Sequence, residues 1–414
     1  MVEINTIIQG DCLESIKQLD DNSVDAVVTD PPYGLNFMGK KWDYDIPATE
    51  VWQECLRVLK PGGYLLSFAG TRTQHRMACR IEDAGFEIRD MIAWVYGSGF
   101  PKSLNVGRAV DKLRGVERES ETVKGKVFTG SNNNIDGESG EYTVDKGASE
   151  WEGWGTALKP AFECITIARK PIGEKTVAEN CLRWGVGGIN IDGSRVGCRE
   201  KEQFTGGEIG TINTYGDYFY EKSDTPLPSG RFPANFIHDG SEEVIDLFPH
   251  SKSSDAIRHN HQSENTGAEN GASCYGKYND VDTTGYSDSG SSARFFYCAK
   301  ASKSERNKGC EGLPVGEAPG SKRSAPAEGR SGALGKPRAN HHPTVKPIAL
   351  MEYLIKLVSR EGALILDPFA GSGSTLIACK NTGRNYIGCE LDPEYIDIAN
   401  CRINGSSAQL RLEI

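Results

Sequence analysis

A doubly wound α/β sheet, circularly permuted and interrupted by a large insert, is the fold this sequence predicts, and three observations predict it. Over residues 1–100, short β-branched apolar runs alternate with segments whose apolar residues recur at helical spacing, as in parallel strands joined by crossover helices. A strand, glycine loop, helix and strand closed by an acidic residue, which is nucleoside-binding geometry, stands at 363–390. That unit normally opens such a sheet, and here it comes last.

The bulk numbers set limits. A length of 414 residues suits two to three domains. A hydrophobic fraction of 37% supplies a core, and the 48 glycines and a polar middle keep it from being higher. The net charge of −10 excludes a polycation, so a nucleic-acid partner needs a local basic face. None of the 12 cysteines stands at C-x-x-C spacing, and most lie in apolar periodic segments. They read as reduced core residues, with no metal site expected. There is no apolar leader and no apolar run of 18 residues, so we expect a soluble, cytoplasmic protein without a membrane partner.

Residues 5–9 form the first expected strand, followed by Gly10-Asp11-Cys12-Leu13 and a short amphipathic helix to about Leu19. Val24 to Thr29 (VDAVVT) is the second strand and completes a βαβ unit. Apolar residues at 51, 52, 55, 56, 58 and 59 predict a helix over 49–59, stopped by Lys60-Pro61-Gly62-Gly63. Strand 64–68, helix 73–84 and strand 86–95 continue the alternation. Cys164 to Ala168 is a further strand, expected at the edge of the same sheet. Ile348 to Val358 reads as an amphipathic helix.

Two stretches, 125–147 and 251–292, are rich in Gly, Ser, Asn and Asp and are expected as loops or disordered arms. Residues 171–340 read as an inserted recognition region between two halves of one fold, 1–170 and 341–414. Between Arg294 and Lys346 eleven Lys or Arg stand against four Glu, a net +7. In so acidic a chain this is the best candidate for contact with a phosphate backbone, with Lys300, Lys303 and Arg306 as the residues proposed for it.

The turn Asp30-Pro31-Pro32-Tyr33 follows the second strand directly. Two prolines cannot continue a ladder, and Pro31 forces Asp30 to be extended. The turn therefore holds a carboxylate, a carbonyl and an aromatic ring at a strand's carboxyl end, where open α/β sheets bind ligands. A carboxylate and a carbonyl can accept both hydrogens of a planar exocyclic amine, and a tyrosine can stack on its ring. That equipment suits a flipped nucleobase.

The glycine loop is Asp367-Pro368-Phe369-Ala370-Gly371-Ser372-Gly373-Ser374-Thr375, and Glu390 closes the next strand. A dinucleotide fingerprint would place a third glycine at 376, which is Leu376, and a Walker loop would need Gly-Lys-Ser/Thr. Asp367 would repel a pyrophosphate and suits an ammonium group. An amino-acid-bearing nucleoside such as S-adenosylmethionine fits that logic. Read in a circle, the strands at 363–366, 385–389, 5–9 and 24–29 follow one another, which places Asp11 beside this loop and brings the Asp30 turn to the same site.

TDPPYG at 29–34, GDCLE at 10–14, HPTVKP at 342–347, DPFAGSGST at 367–375 and GCELDPEY at 388–395 resemble the amino-methyltransferases of DNA. The order, target turn first and donor loop last, is similar to their β class, of bacterial or phage type. The matches cover about 150 residues at the two ends; GWGTALKPAFE is one of few segments supporting the middle. The resemblance implies S-adenosylmethionine as methyl donor, double-stranded DNA as partner, and Asp30, Pro31, Pro32 and Tyr33 as the catalytic turn. It places Asp11, Cys12, His342, Thr344, Lys346, Asp367 to Thr375, Glu390 and Leu391 around the donor. An Asp at position 30 leans towards adenine N6, with cytosine N4 as the alternative. A homodimer, a restriction endonuclease partner, and an RNA or protein-glutamine substrate stay open. An oxidoreductase would leave the Pro-Pro-Tyr turn without a role, and a silent DNA-binding protein would not consume the donor.

Overall fold

The computed structural model describes residues 2–35, 43–99, 103–126, 139–147, 149–197, 210–212, 218–220, 230–252, 289–299, 305–314 and 339–406. The chain divides into two compact units, one of residues 1–190, 235–241 and 299–414, the other of 191–234 and 242–298.

In the first unit, β1 (Thr6–Gln9), α1 (Cys12–Ile16), β2 (Val24–Thr29), α2 (Thr49–Val58), β3 (Leu59–Ala69), α3 (Gln74–Asp83), β4 (Glu87–Val95) and α4 (Val106–Arg114) follow in order. A hairpin, β5 (Glu119–Lys126) and β6 (Ser139–Lys146), precedes β7 (Phe162–Arg169) and α5 (Val177–Trp184). The second unit contains β8 (Gly210–Ile212) paired with β9 (Tyr218–Tyr220). The short strand β10 (Phe236–His238) belongs to the first unit, while α6 (Glu242–Ile245), β11 (His250–Lys252), β12 (Ser289–Ser291) and β13 (Tyr297–Cys298) belong to the second. The first unit ends with α7 (Ile348–Val358), β14 (Leu364–Asp367), α8 (Ser374–Asn381), β15 (Asn385–Glu390) and α9 (Pro393–Ser406).

Its sheet runs β1-β15-β14-β2-β3-β7-β4-β10. Numbered around the circle from β14, the first seven strands read third, second, first, fourth, fifth, seventh, sixth. That is the doubly wound order, entered in mid-sequence, with one antiparallel strand added. The direction of winding reverses between β14 and β2, the switch point at which such sheets bind ligands. Parallel pairing of Ile365 with Ala26 and Leu366 with Val27 joins these strands. Asp25 reinforces the junction from within β2, accepting from the Leu364 amide (2.7 Å) and from Lys60 Nζ (2.5 Å).

The core lies where the pattern requires it. In β2, Val24 and residues 26–29 are buried, and α2 buries Val51, Trp52, Cys55 and Val58 along one stripe. Each such aliphatic side chain contributes about 1.5–3 kcal/mol against its exposed state, an upper bound for an extended unfolded chain.

Four expectations are corrected. β7 is not an edge strand: it lies between β3 and β4, antiparallel to both. Its run Cys164 to Arg169 is buried throughout, which only a strand covered on both faces allows. α7 is not amphipathic but buried nearly all round, from Leu350 and Met351 through Tyr353, Leu354 and Ile355 to Leu357 and Val358. Parts of the two expected loops are paired strands, since Val123 faces Tyr142, Thr122 faces Thr143, and Ser251 faces Gly290. The second unit is also narrower than 171–340: α5 packs with the sheet unit, where Asn180 donates to the Pro61 carbonyl (2.8 Å).

Candidate active site

Four neighbouring strands carry an acid at or just beyond their carboxyl ends: Asp11 after β1, Glu390 ending β15, Asp367 ending β14 and Asp30 after β2. Thr29 Oγ1 donates to Asp367 Oδ1 (2.6 Å), so the last residue of β2 is locked to the last residue of β14 although 338 positions separate them. The two turns open into one cavity of about 1320 Å³.

On the β2 side the Asp-Pro-Pro-Tyr turn is held from outside itself. Asp43, 2% exposed, accepts from the amides of Tyr33 (2.7 Å), Gly34 (2.9 Å) and Leu35 (3.2 Å). Tyr33 Oη lies 2.8 Å from Asp30 Oδ1 and 2.8 Å from Glu163 Oε2. Having one hydrogen, it donates to one of them at a time. Lys346 Nζ donates to Asp30 Oδ2 (2.7 Å), and Glu163 Oε2 lies 3.2 Å from the same nitrogen. The ammonium also stands 5.5 Å from the Tyr33 ring centre and 4.9 Å from that of Phe68. Burial pulls the Lys346 pKa down, but Asp30 and Glu163 more than reverse it, and the group stays charged well above the ordinary lysine range. Burial, then the same two carboxylates, push the Tyr33 phenol upward, so it remains a neutral donor.

On the β14 side the backbone does most of the holding. Asp367 Oδ1 also accepts from the Phe369 amide (3.1 Å), and burial raises its pKa to about 6 against the hydrogen bonds from Thr29, Thr375 and Phe369. Glu390 accepts from the Gly371 amide (2.8 Å) and the Asp392 amide (2.9 Å). Burial raises its pKa as well. Gly371 and Gly373 have φ of 51° and 77°, a region that side chains disfavour. A Cβ on Gly371 would stand 2.9 Å from His342 Nε2, and one on Gly373 would stand 2.9 Å from the Ala399 Cβ on α9. Beneath the loop, buried Arg402 donates to the Ser372 carbonyl (2.5 Å) and hydroxyl (3.0 Å) and to Ser374 Oγ (3.1 Å). Burial lowers the Arg402 pKa to about 10.

His342 stands beside the loop. Its Nδ1 lies 2.6 Å from the Thr344 carbonyl, which can only accept, so Nδ1 carries the proton and Nε2 is an acceptor. Burial lowers its pKa to about 4, and its ring meets Tyr395 edge-on at 4.4 Å. Asp11 caps α1, accepting from Leu13 (2.9 Å) and Glu14 (3.4 Å), and still lines the cavity. Burial, then Asp11, raise the Cys12 thiol to about 12, so it is a neutral wall.

Asp30 to Tyr33, Asp11, Cys12, His342, Thr344, Lys346, Asp367 to Ser372, Ser374, Thr375, Glu390 and Leu391 all line this cavity. At three of the expected positions the structure adds detail. Gly373 is not on the wall; its missing side chain makes room for α9. Lys346 reaches the target turn rather than the donor loop, because its ammonium is drawn to the two carboxylates there. Arg306, expected at a phosphate, has its Nη2 donating to the His342 carbonyl. Lys300 and Lys303 lie outside the described residues. The sequence reading missed Glu163, Asp43, Thr29 and Arg402. For Glu163 there was a signal, an acid opening an apolar strand at the end of GWGTALKPAFE; for Asp43 there was none.

A doubly wound sheet whose switch point joins a glycine loop to an Asp-Pro-Pro-Tyr turn defines the class, an α/β fold with its ligand site at the carboxyl ends of the strands. A family model described as DNA methylase matches residues 24–401, and the chain belongs to that family, the N6/N4 DNA methylases. It is 44% identical over 69 residues to the type II methyltransferase M2.DpnII of Streptococcus pneumoniae, covering 17% of this chain and 26% of that one. It is 46% identical over 63 residues to M.HpaI of Haemophilus parainfluenzae, covering 15% and 20%. The matches thus span about a quarter or less of those relatives. Among solved structures it resembles the M1.HpyAVI–SAM complex (17% identity, TM-score 0.37, 96% of this chain and 98% of that one). It also resembles the cytosine-N4-specific PvuII DNA methyltransferase (13%, TM-score 0.42, 97% and 87%).

Proposed function

We propose that this chain transfers a methyl group from S-adenosylmethionine to the exocyclic N6 of an adenine flipped out of duplex DNA. The observation that carries the reading is the Thr29–Asp367 hydrogen bond at the switch point, which joins a turn suited to a planar amine and a loop suited to a nucleoside in one cavity. That cavity exceeds the roughly 300–1,000 Å³ of a single-ligand site, so it has room for a nucleoside and a base together.

The donor half fits its proposed ligand. Phe369, Ala370 and Leu391 give it an apolar wall, and Asp11, Glu390 and Asp392 supply carboxylates for hydroxyl and ammonium groups. When bound, S-adenosylmethionine supplies an electrophilic methyl group. The protein's part is positional. Asp30 and the Pro31 carbonyl accept the two amine hydrogens and turn the nitrogen lone pair towards the donor side. Pro32, lacking an N–H, offers no competing donor. Lys346 donates to Asp30 Oδ2 and so fixes the carboxylate where the amine would meet it, and the proton that the methylated amine gives up can pass to Asp30. No covalent enzyme intermediate is needed, because the amine is the nucleophile.

The choice of adenine rests on Asp at position 30. Incubating the protein with unmethylated DNA and S-adenosylmethionine, followed by mass identification of the modified nucleoside, tests it. N6-methyladenine is expected. N4-methylcytosine would overturn the base and keep the mechanism, and an unmodified product on any DNA would remove the function.

A further inference from the structure

We infer that Leu158 is a wedge that enters the base stack of duplex DNA and fills the gap left by the flipped nucleotide. The inference rests on the base-flipping reading above and adds the element that opens the duplex. Leu158 is 91% exposed, yet it lies on the wall of the cavity that holds Asp30. Single exposed leucines are ordinary on protein surfaces, so exposure alone means little. Leu182 and Leu113 are as bare, at 90% and 88%, and neither lines the cavity. Position and mounting set Leu158 apart.

The loop that carries it is braced on both sides. The amides of Thr156 and Ala157 donate to Ser103 Oγ (2.9 and 3.2 Å), and the Leu104 amide donates to Thr156 Oγ1 (3.0 Å). Asn105 and Gly155 form an antiparallel bridge, and the Val106 amide donates to the Trp154 carbonyl (3.0 Å). Upstream, Arg118 gives Glu152 two hydrogen bonds (2.8 and 2.9 Å). Downstream, Pro160 restricts the backbone before β7 begins and Glu163 meets Tyr33. The leucine is therefore presented by a loop that needs little further ordering on binding. Lys159 beside it supplies a cation for the phosphates that flank an opened step. Leucine belongs to the short set of apolar side chains that proteins insert between base pairs, and the cost it offsets is a few kcal/mol of unstacking per step.

The test compares two duplexes holding the site that the protein methylates, one fully paired and one with the target base mismatched. Leu158→Ala is expected to lower turnover about tenfold or more on the paired duplex and to approach wild type on the mismatched one, where the base is already unpaired. Leu158→Phe should keep most activity on both, Leu182→Ala should match wild type, and donor affinity by calorimetry should be unchanged in every variant. An equal loss on both duplexes, or no loss on either, would overturn the wedge while leaving the methyl-transfer reading standing. If wild-type protein methylates no site in any unmethylated DNA, that reading falls and the wedge falls with it.

Discussion

The donor loop and the target turn sit side by side in one cavity, yet they are held by different means. The loop Asp367–Thr375 is fixed mostly by bonds to its own backbone: the Gly371 and Phe369 amides go to Glu390 and Asp367, and Arg402 takes the Ser372 carbonyl. The turn Asp30–Tyr33 is fixed by side chains that arrive from far along the chain, Asp43 on its amides and Glu163 and Lys346 on its functional groups. A site for an invariant nucleoside can be a rigid cradle. On the proposed function, a site that accepts a base from outside needs a charge cluster that stays poised before the base arrives, and one buried cation between two carboxylates would provide it.

The largest expected effect would break the target side alone. Lys346→Met leaves the half-buried carboxylates Asp30 and Glu163 without their shared cation, and we expect a loss of up to about 3 kcal/mol in denaturant unfolding. Adding Glu163→Gln should return part of it, and strict additivity of the two losses would show that the ions act separately.

Asp30→Ala should lower methyl transfer by about 10²–10³ or more while calorimetry shows the donor still bound. A loss of tenfold or less would mean that the turn is not where the amine is held.

Gly373→Ala probes the donor side through packing. With φ at 77° and Ala399 in the way, we expect about 2 kcal/mol of destabilisation. Because this residue is off the cavity wall, donor affinity of the folded protein should change little; a large affinity loss would put Gly373 back at the ligand.

The smallest effect concerns pH. His342 stays near 4 in the fold against an ordinary 6.5, so from pH 7 to 5 the unfolded chain takes a proton that the folded one refuses, which costs about 2 kcal/mol of stability. Asp367, raised from 3.8 to about 6, takes its proton in the fold first, and acidification over the same window adds about 1 kcal/mol. Relative to wild type, His342→Gln should therefore gain stability on acidification and Asp367→Asn should lose it. Thermal unfolding curves that stay parallel to wild type across this window would contradict both assignments.

The sequence by itself determined the elements whose signals are local. Six residues, VDAVVT, specify β2, and the strand, loop and acid at 363–390 specify the glycine-loop cradle, because its amides and acceptors are near in sequence, Gly371 and Glu390 being 19 positions apart. It also determined the permutation, since strand order around the circle follows from which motif comes last. What only the tertiary structure decided are the partnerships across long separations: Thr29 with Asp367, Asp30 with Lys346, and Tyr33 with Glu163. An acid opening a strand looks the same in sequence whether that strand lies at the edge or between β3 and β4. The sheet order alone brings Glu163 to Tyr33, just as acceptors fixed elsewhere in the fold draw Lys346 and Arg306 to the carboxylates and the carbonyl they meet. Charge in a sequence says that a partner must exist, and packing chooses which one.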